Sequence, residues 1–261
     1  MMESRDRNPP SLYVAELVGR TDGEVVTLEH EETRHTRSLR LSTGDSVALT
    51  DGLGTRRMGR IGSAAERRRE VVIEGPLPAN EPLAVELAIA VGNRTRTLWL
   101  VKKAAEFGIQ RISPIETVRS RSVSDAGRSG GFWTKAGRRA LAAVKQSGGA
   151  WLPEIGAVED LPAFLARTER SGKHMVVLDM DGEPLRAVLV DPLAPVVLFV
   201  GPEGGLTRGE VEACIEAGFQ PGRLGPTVLR FETAAVAALA VVAQEREIAG
   251  VRPRAHEGEA T

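Results

Sequence analysis

The stretch Val196-Val-Leu-Phe-Val-Gly201-Pro-Glu-Gly-Gly205-Leu-Thr207 runs an apolar segment into a turn that holds three glycines and one carboxylate. Five apolar residues in a row read as a buried strand, and the turn then lies at its carboxyl end, where open α/β sheets bind ligands. Gly201, Gly204 and Gly205 let the backbone approach a ligand closely or take positive φ. No Gly-Lys-Ser/Thr follows, so the turn is not a P-loop, and it lacks the G-x-G-x-x-G dinucleotide fingerprint. Glu203 in mid-turn repels a phosphate; a carboxylate there suits ribose hydroxyls, a cationic group or the fixing of backbone. The same spacing also fits a purely structural strand-to-helix turn. Thr207 and Glu210 have the T-x-x-E spacing of a capping box, which predicts a helix starting at 206–208 and stopping near Gly218. Cys214, the only cysteine, falls on the apolar side of that helix. It reads as a buried inert thiol, and one cysteine excludes both a disulfide framework and a cysteine-built metal site.

The elements that must position this turn follow from hydrophobic rhythm. Strands are predicted at Val85–Val91, Arg111–Ile115, His174–Leu178, Val196–Val200 and near Arg223-Leu224; helices at Thr95–Phe107, Phe132–Gln146, Leu161–Arg167, Thr207–Ala217 and Phe231–Ile248. Strands separated by helices imply a mainly parallel sheet covered on both faces. The last helix is apolar nearly all round from Ala234 to Ala243, which requires burial on more than one side, in the core alone or in core plus a homodimer interface. Upstream, from Leu12 to about Glu74, short β-like runs (Leu12–Ala15, Val25–Leu28, Ser46–Thr50, Val71–Ile73) alternate with turns at Thr43-Gly-Asp and Asp51-Gly-Leu-Gly54. These predict a separate small barrel or sandwich. The division expected is therefore a β domain over 1–75, a stiff proline-rich linker over 76–82, an α/β domain over 83–250 and a disordered tail over 251–261. The amino end up to Pro9-Pro10 reads as a loose terminus.

Of the 261 residues, 42% are hydrophobic and 26% charged, an ordinary globular balance. No apolar run approaches the roughly 18 to 20 residues of a membrane span, and the amino end has no signal-like apolar region, so a cytoplasmic protein without membrane attachment is expected. The net charge of −1 hides an asymmetry. Between Arg94 and Lys145 twelve cations face three acids, a net +9, the electrostatic footprint of a nucleic-acid partner. In the β domain, Arg34, Arg37 and Arg40 recur at helical spacing, and Arg56, Arg57 and Arg60 follow a glycine turn; such arginines suit phosphate contacts. His30 and His35 lack the partners for a metal site, and no metal is expected.

Val200-Gly-Pro-Glu-Gly-Gly-Leu-Thr, followed by Leu224-Gly-Pro-x-x-Leu-Arg-x-Glu-Thr-Ala, resembles the signature of the ribosomal RNA small subunit methyltransferase E family. Lys103-Ala-Ala-Glu106-Phe-Gly-Ile109, Pro114 to Ser120, and Gln146-Ser147 with Pro153 resemble further family stretches, and Gly44-Asp45 and Asp51-Gly52 match its amino-terminal domain. The resemblance runs from about residue 12 to 248. It departs at Phe107, Val118, Lys145 and Gly149, where the family commonly has Leu, Glu, Glu and Arg.

The resemblance implies an α/β fold of SPOUT type: a trefoil-knotted, mainly parallel sheet domain preceded by a PUA-like β-barrel that positions RNA. It further implies a homodimer, S-adenosyl-L-methionine as methyl donor, and methylation of N3 of a specific uridine in 16S rRNA of the small ribosomal subunit. By carry-over Gly201, Pro202, Glu203, Gly204 and Gly205 form one cofactor loop, and Leu224, Gly225, Leu229, Arg230 and Thr233 the other. Uridine N3 carries a proton at neutral pH, so attack needs that proton removed or the anion on O2 and O4 stabilised. Arg119 and Arg230 are the candidates for stabilisation, and Glu232 or Glu203 for taking the proton; Glu232 is also placed simply to favour a helix amino end. Arg34, Arg37, Arg40, Arg119, Arg121 and Arg138 are the candidate RNA contacts. Two other readings remain open: a SPOUT methyltransferase for another rRNA or tRNA position, and a catalytically silent RNA-binding or assembly protein.

Overall fold

The computed structural model describes residues 9–65, 68–120 and 130–250. Arg121, the amino end up to residue 8 and the tail from Val251 lie outside the described residues. Contacts divide the described chain into two compact units: residues up to Glu81 together with Val144–Trp151, and Pro82–Ala143 together with 152–250.

The first unit contains β1 (Ser11–Tyr13), β2 (Val25–Thr27), α1 (His30–Ser38), β3 (Ser46–Thr50), β4 (Arg56–Ala65) and β5 (Arg68–Pro76) in a five-stranded sheet of order β1-β3-β4-β5-β2. Only β1 and β3 are parallel. Alternation along β5 buries Val71 and Ile73 against Leu12, Leu49 and Ile61. Hydrophobic pattern did not predict β4, because Arg56-Arg-Met-Gly-Arg-Ile has no apolar run. Gly59 is what lets it pair closely, since a Cβ there would lie 2.7 Å from Val71 Cγ1.

The arginines of this unit need correction. Arg57 donates to the carbonyls of Arg20 and Glu74 and pairs with Asp22, while Arg60 bonds Glu74 at 2.8 Å and the Gly44 carbonyl at 2.9 Å. Both tie the sheet together and are not held out for phosphates. Arg34 and Arg37 are exposed on α1, but the helix ends at Ser38, and Arg40 lies beyond it in a left-handed conformation, φ 55°. Residues Val144–Trp151 are built into this unit, which the proline-rich boundary did not anticipate. Lys145 pairs with the buried Glu32 and approaches His35 Nδ1 at 3.2 Å, and Trp151 Nε1 donates to the Asn80 carbonyl at 2.6 Å. Glu32 in turn accepts from the Tyr13 amide.

The second unit is assembled from β6 (Leu83–Ala90), α2 (Arg94–Glu106), β7 (Ile109–Glu116), α3 (Gly130–Ser147, its last turn counted with the first unit), β8 (Glu154–Ile155), β9 (Glu159–Asp160), α4 (Leu161–Arg167), β10 (His174–Pro184), α5 (Leu185–Val188), β11 (Val196–Val200), α6 (Arg208–Glu216), β12 (Gln220–Arg223) and α7 (Phe231–Ile248). Its sheet runs β12-β10-β11-β6-β7-β8, with β9 also on β7, and every pairing is parallel. All five residues of β11 are buried, as an unbroken Val-Val-Leu-Phe-Val run in a covered parallel strand requires. On one face Phe164 of α4 packs against Phe199 and Phe219 with ring centroids 5.7 and 5.9 Å apart. Along α7 the stripe Phe231, Ala235, Ala238, Leu239 and Val242 is buried and flanked by half-buried alanines and valines. No helix among the described residues is long and apolar enough to cross a membrane.

One strand differs in a way that matters for the site. Sequence pattern ends β10 at Leu178, whereas it continues to Pro184 through a register shift between Leu178 and Glu183. The shift is compatible with close packing on β12 because residue 182 is glycine: a Cβ there would fall 2.4 Å from the Pro221 carbonyl carbon.

Candidate functional site

At the carboxyl ends of β11 and β12, beside the middle of β10, lies a cavity of about 220 Å³. The turn after β11 contributes Gly201, Pro202, Glu203, Gly205 and Leu206, and the segment after β12 contributes Leu224, Thr227, Val228 and Leu229. Phe231 and Ala234 of α7 complete it. Six of the ten expected cofactor-loop residues thus line one space. Gly204, Gly225, Arg230 and Thr233 do not. The helix explains part of this: Phe231 and Ala234, three apart, share the face turned to the cavity, which sends Glu232 and Thr233 elsewhere. Leu178, Asp179 and Met180 in the middle of β10, where its register on β12 shifts, and Gly222 and Arg223 of β12, line it as well, and sequence reading missed them. The available signal was Asp179, an acid directly after the apolar run Met175–Leu178, on what becomes the neighbour of the glycine-turn strand.

The glycine turn is fixed from several sides. Gly205, at φ +70°, donates to the Pro202 carbonyl at 2.8 Å. The capping box forms as expected: Thr207 caps α6, its Oγ1 accepting from the Glu210 amide, while Glu210 Oε2 accepts from the Thr207 amide at 2.7 Å. Glu210 Oε1 also accepts from the Val118 amide at 2.7 Å, so one buried carboxylate joins the turn to the segment after β7. Arg119 next to it donates through Nη1 to the Gly204 carbonyl at 2.9 Å and the Leu206 carbonyl at 3.3 Å. Arg119 was expected to stabilise the uracil anion and to contact RNA; its guanidinium is instead engaged as a brace of the glycine turn.

The carboxylates expected to take a proton differ in their surroundings. Glu203 Oε1 accepts from the Asn93 amide at 3.0 Å and lies 3.8 Å from Arg96 Nη1. Asn93 also caps α2, with Oδ1 accepting from the amides of Thr95 and Arg96. Gly92 leaves room for this arrangement, since a Cβ there would meet Glu203 Oε2 at 2.4 Å. Glu232 is reached by Arg96 Nε at 3.6 Å through Oε1, and its Oε2 is buried without a hydrogen-bond partner. Arg96, absent from the sequence-based assignment, therefore stands between both carboxylates. Arg230 is the exposed residue preceding α7.

The basic stretch separates into braces and free cations. Lys103 pairs with Glu106 at 2.8 Å, and Arg111 with Glu154. Lys135, Arg138 and Arg139 are exposed on α3. Cys214 is fully buried, and desolvation, aided by the charge of Glu210, pushes its thiol up to about 12. Among the described residues no group of three or more His, Cys, Asp or Glu side chains is placed to hold a metal ion.

An RNA methyltransferase domain family matches residues 79–243. The ribosomal RNA small subunit methyltransferase E of Synechocystis sp. is 30% identical over 211 residues, which span 79% of this chain and 68% of that protein. Its namesake from Bacillus subtilis is 25% identical over 251 residues, 90% of this chain and 97% of that protein. Among solved structures, a ribosomal RNA small subunit methyltransferase E from Neisseria gonorrhoeae bound to S-adenosyl methionine superposes with a TM-score of 0.82 at 25% identity, covering 90% of this chain and 97% of that one. A putative methyltransferase from Legionella pneumophila in complex with the same cofactor gives 0.78 at 25% identity, covering 90% and 96%.

Proposed function

The chain belongs to the ribosomal RNA small subunit methyltransferase E family, and from that membership we propose that it transfers the methyl group of S-adenosyl-L-methionine to N3 of a specific uridine in 16S rRNA of the small ribosomal subunit. The observation that carries the reading is the cavity at the ends of β11 and β12 and beside β10, walled by both signature segments, in a chain whose structural relatives include proteins with S-adenosylmethionine bound. The reading includes the finer family features: a trefoil knot in the second unit, a PUA-like barrel in the first, a homodimer and a cytoplasmic location.

The cavity suits the cofactor. Leu206, Val228, Leu229 and Phe231 give apolar walls for a flat base, and the glycine turn and the Leu224-Gly225 segment offer backbone groups for its polar edge. When bound, the cofactor supplies a methyl group on a positively charged sulfur, open to in-line attack. The chain's task is then orientation and charge. The Arg119 brace on Gly204 and Leu206 keeps the turn in one conformation before binding. Arg230, at the positive end of α7, suits the negative charge that grows on the uracil oxygens as N3 loses its proton. Glu203 is engaged by the Asn93 amide and Arg96, and Glu232 by Arg96 with its second oxygen buried, so neither stands free and both stay candidates for the proton acceptor. Arg34, Arg37, Arg40 and Arg138, exposed on α1, just past it and on α3, would hold rRNA phosphates, and Arg121, from the same basic stretch of sequence as Arg138, is assigned the same role.

Nucleoside mass spectrometry of 16S rRNA from cells with and without the gene tests the reading. N3-methyluridine should disappear on deletion and return with the wild-type gene. An unchanged level would overturn the assigned position, and saturable cofactor binding with no transfer to any RNA would point instead to the silent RNA-binding alternative.

A further inference from the structure

The cavity carries two opposite charges that satisfy each other poorly. Asp179 follows the apolar part of β10 at the point where the register on β12 shifts, and Arg223 ends β12, the adjacent parallel strand, as the register partner of Pro184. Both line the cavity. Asp179 Oδ1 accepts only from the Asp181 amide, at 2.8 Å, within its own turn. Arg223 Nη1 reaches the Gly182 carbonyl at 3.4 Å, a long contact that leaves most of its five donors unused. Neither forms an ion pair with the other or with any described residue. The other polar side chains in the lining are Thr227 and Glu203, and the Glu203 carboxylate is already engaged by the Asn93 amide and Arg96.

An unpaired carboxylate and an unpaired guanidinium in one cavity favour a ligand that carries both signs a short distance apart, because each then replaces lost hydration with a charge-assisted hydrogen bond. A ribose diol can donate to the carboxylate and accept from the guanidinium, but it brings no countercharge to either. A free α-amino acid group offers an ammonium to the first and a carboxylate, in fork geometry, to the second. Resting on the cofactor assignment above, we propose that Asp179 and Arg223 form the part of the cavity that reads the zwitterionic methionyl end of S-adenosylmethionine. Asp179 takes the ammonium and Arg223 the carboxylate. The apolar walls from Leu206, Val228 and Phe231 are left for the nucleoside.

The test compares S-adenosylhomocysteine, which keeps the amino-acid end, with 5′-methylthioadenosine, which keeps the nucleoside thioether but lacks that end. Calorimetric affinities are measured for the full-length wild type, Asp179→Asn and Arg223→Gln. Each variant should weaken S-adenosylhomocysteine by about tenfold or more while changing 5′-methylthioadenosine by less than about twofold. The second ligand also reports whether the cavity has stayed folded. Equal loss of both ligands would overturn the assignment in favour of a nucleoside or purely structural role, and unchanged affinity for both would overturn it outright. A wild type that binds neither S-adenosylmethionine nor S-adenosylhomocysteine would instead overturn the cofactor reading beneath it.

Discussion

Replacing Glu210 by alanine removes more than a helix cap. Its Oε2 accepts from the Thr207 amide and hydroxyl, and its Oε1 accepts from the Val118 amide, 92 residues away in sequence. Loss of the cap contribution costs about 1 kcal/mol. The buried, charge-assisted bond to Val118 adds about 2 kcal/mol, because a main-chain N–H is left without its acceptor. Thr207→Ala removes only the first part, so about 1 kcal/mol is expected for it against about 3 kcal/mol for Glu210→Ala. For a unit of this size the larger figure is a fall in melting temperature of roughly 6 to 12 °C. Glu210→Gln should fall between, since a single amide oxygen serves one of the two N–H donors and its NH₂ faces the other. Thermal unfolding followed by circular dichroism gives the stabilities. Titration with S-adenosylmethionine gives the second readout, because Arg119 follows Val118 directly and braces the turn. If Glu210→Ala is no less stable than Thr207→Ala, the carboxylate does not join the two segments and the reasoning fails.

Arg119→Ala should weaken cofactor binding, measured by calorimetry, because its guanidinium holds the Gly204 and Leu206 carbonyls. Arg138→Ala should weaken RNA alone and lower the slope of log affinity against log salt by about 1, read by filter binding at several salt concentrations. Lys145→Met should destabilise the first unit by about 3 kcal/mol by leaving the buried Glu32 without its cation, and Glu32→Gln in the same chain should restore most of the loss in denaturant titrations. Cys214, with its thiol pushed up to about 12, is neutral throughout the physiological range and becomes a thiolate only near that pH; a chromogenic disulfide reagent at pH 8 should find no reactive thiol in the native protein and one after denaturation.

Legibility in the sequence followed the strength of the local signal. The Val196–Val200 strand, the Leu161–Arg167 and Phe231–Ile248 helices and the Thr207–Glu210 box stand where the pattern put them, because burial period and cap chemistry coincide there. The two-residue strands Glu154–Ile155 and Glu159–Asp160 were invisible, since neither spans a full period of anything. Strand β4 was hidden by its arginines, whose aliphatic stems and guanidinium bonds do the work that apolar side chains do elsewhere. In the site, the turns were found because glycine spacing is local. The third wall, Leu178 to Met180, was not found, because its membership depends on which strands become neighbours, a fact of the sheet order β12-β10-β11 that no single stretch records. For the same reason Arg119 was assigned by its charge alone, while its role depends on carbonyls 85 and 87 residues away.

The glycine turn shows why such distant braces are needed. Three glycines make close approach to a ligand feasible, but each raises the entropy that ordering the turn must overcome, by about 0.5 to 1 kcal/mol relative to alanine. A turn left loose would pay that cost on binding and lose affinity and alignment together. The contacts that fix it come from three separate places: Arg119 on the Gly204 and Leu206 carbonyls, Glu210 on Thr207 and Val118, and the Asn93 amide on Glu203. Arg119 takes up the carbonyl of Gly204, one of the loop residues assigned to the cofactor, but none of the braces takes up the backbone groups of Gly201 or Leu224. Flexibility in the sequence is thus converted to rigidity in the fold without filling the cavity. Weakening any one brace should accordingly reduce cofactor affinity before it unfolds the unit.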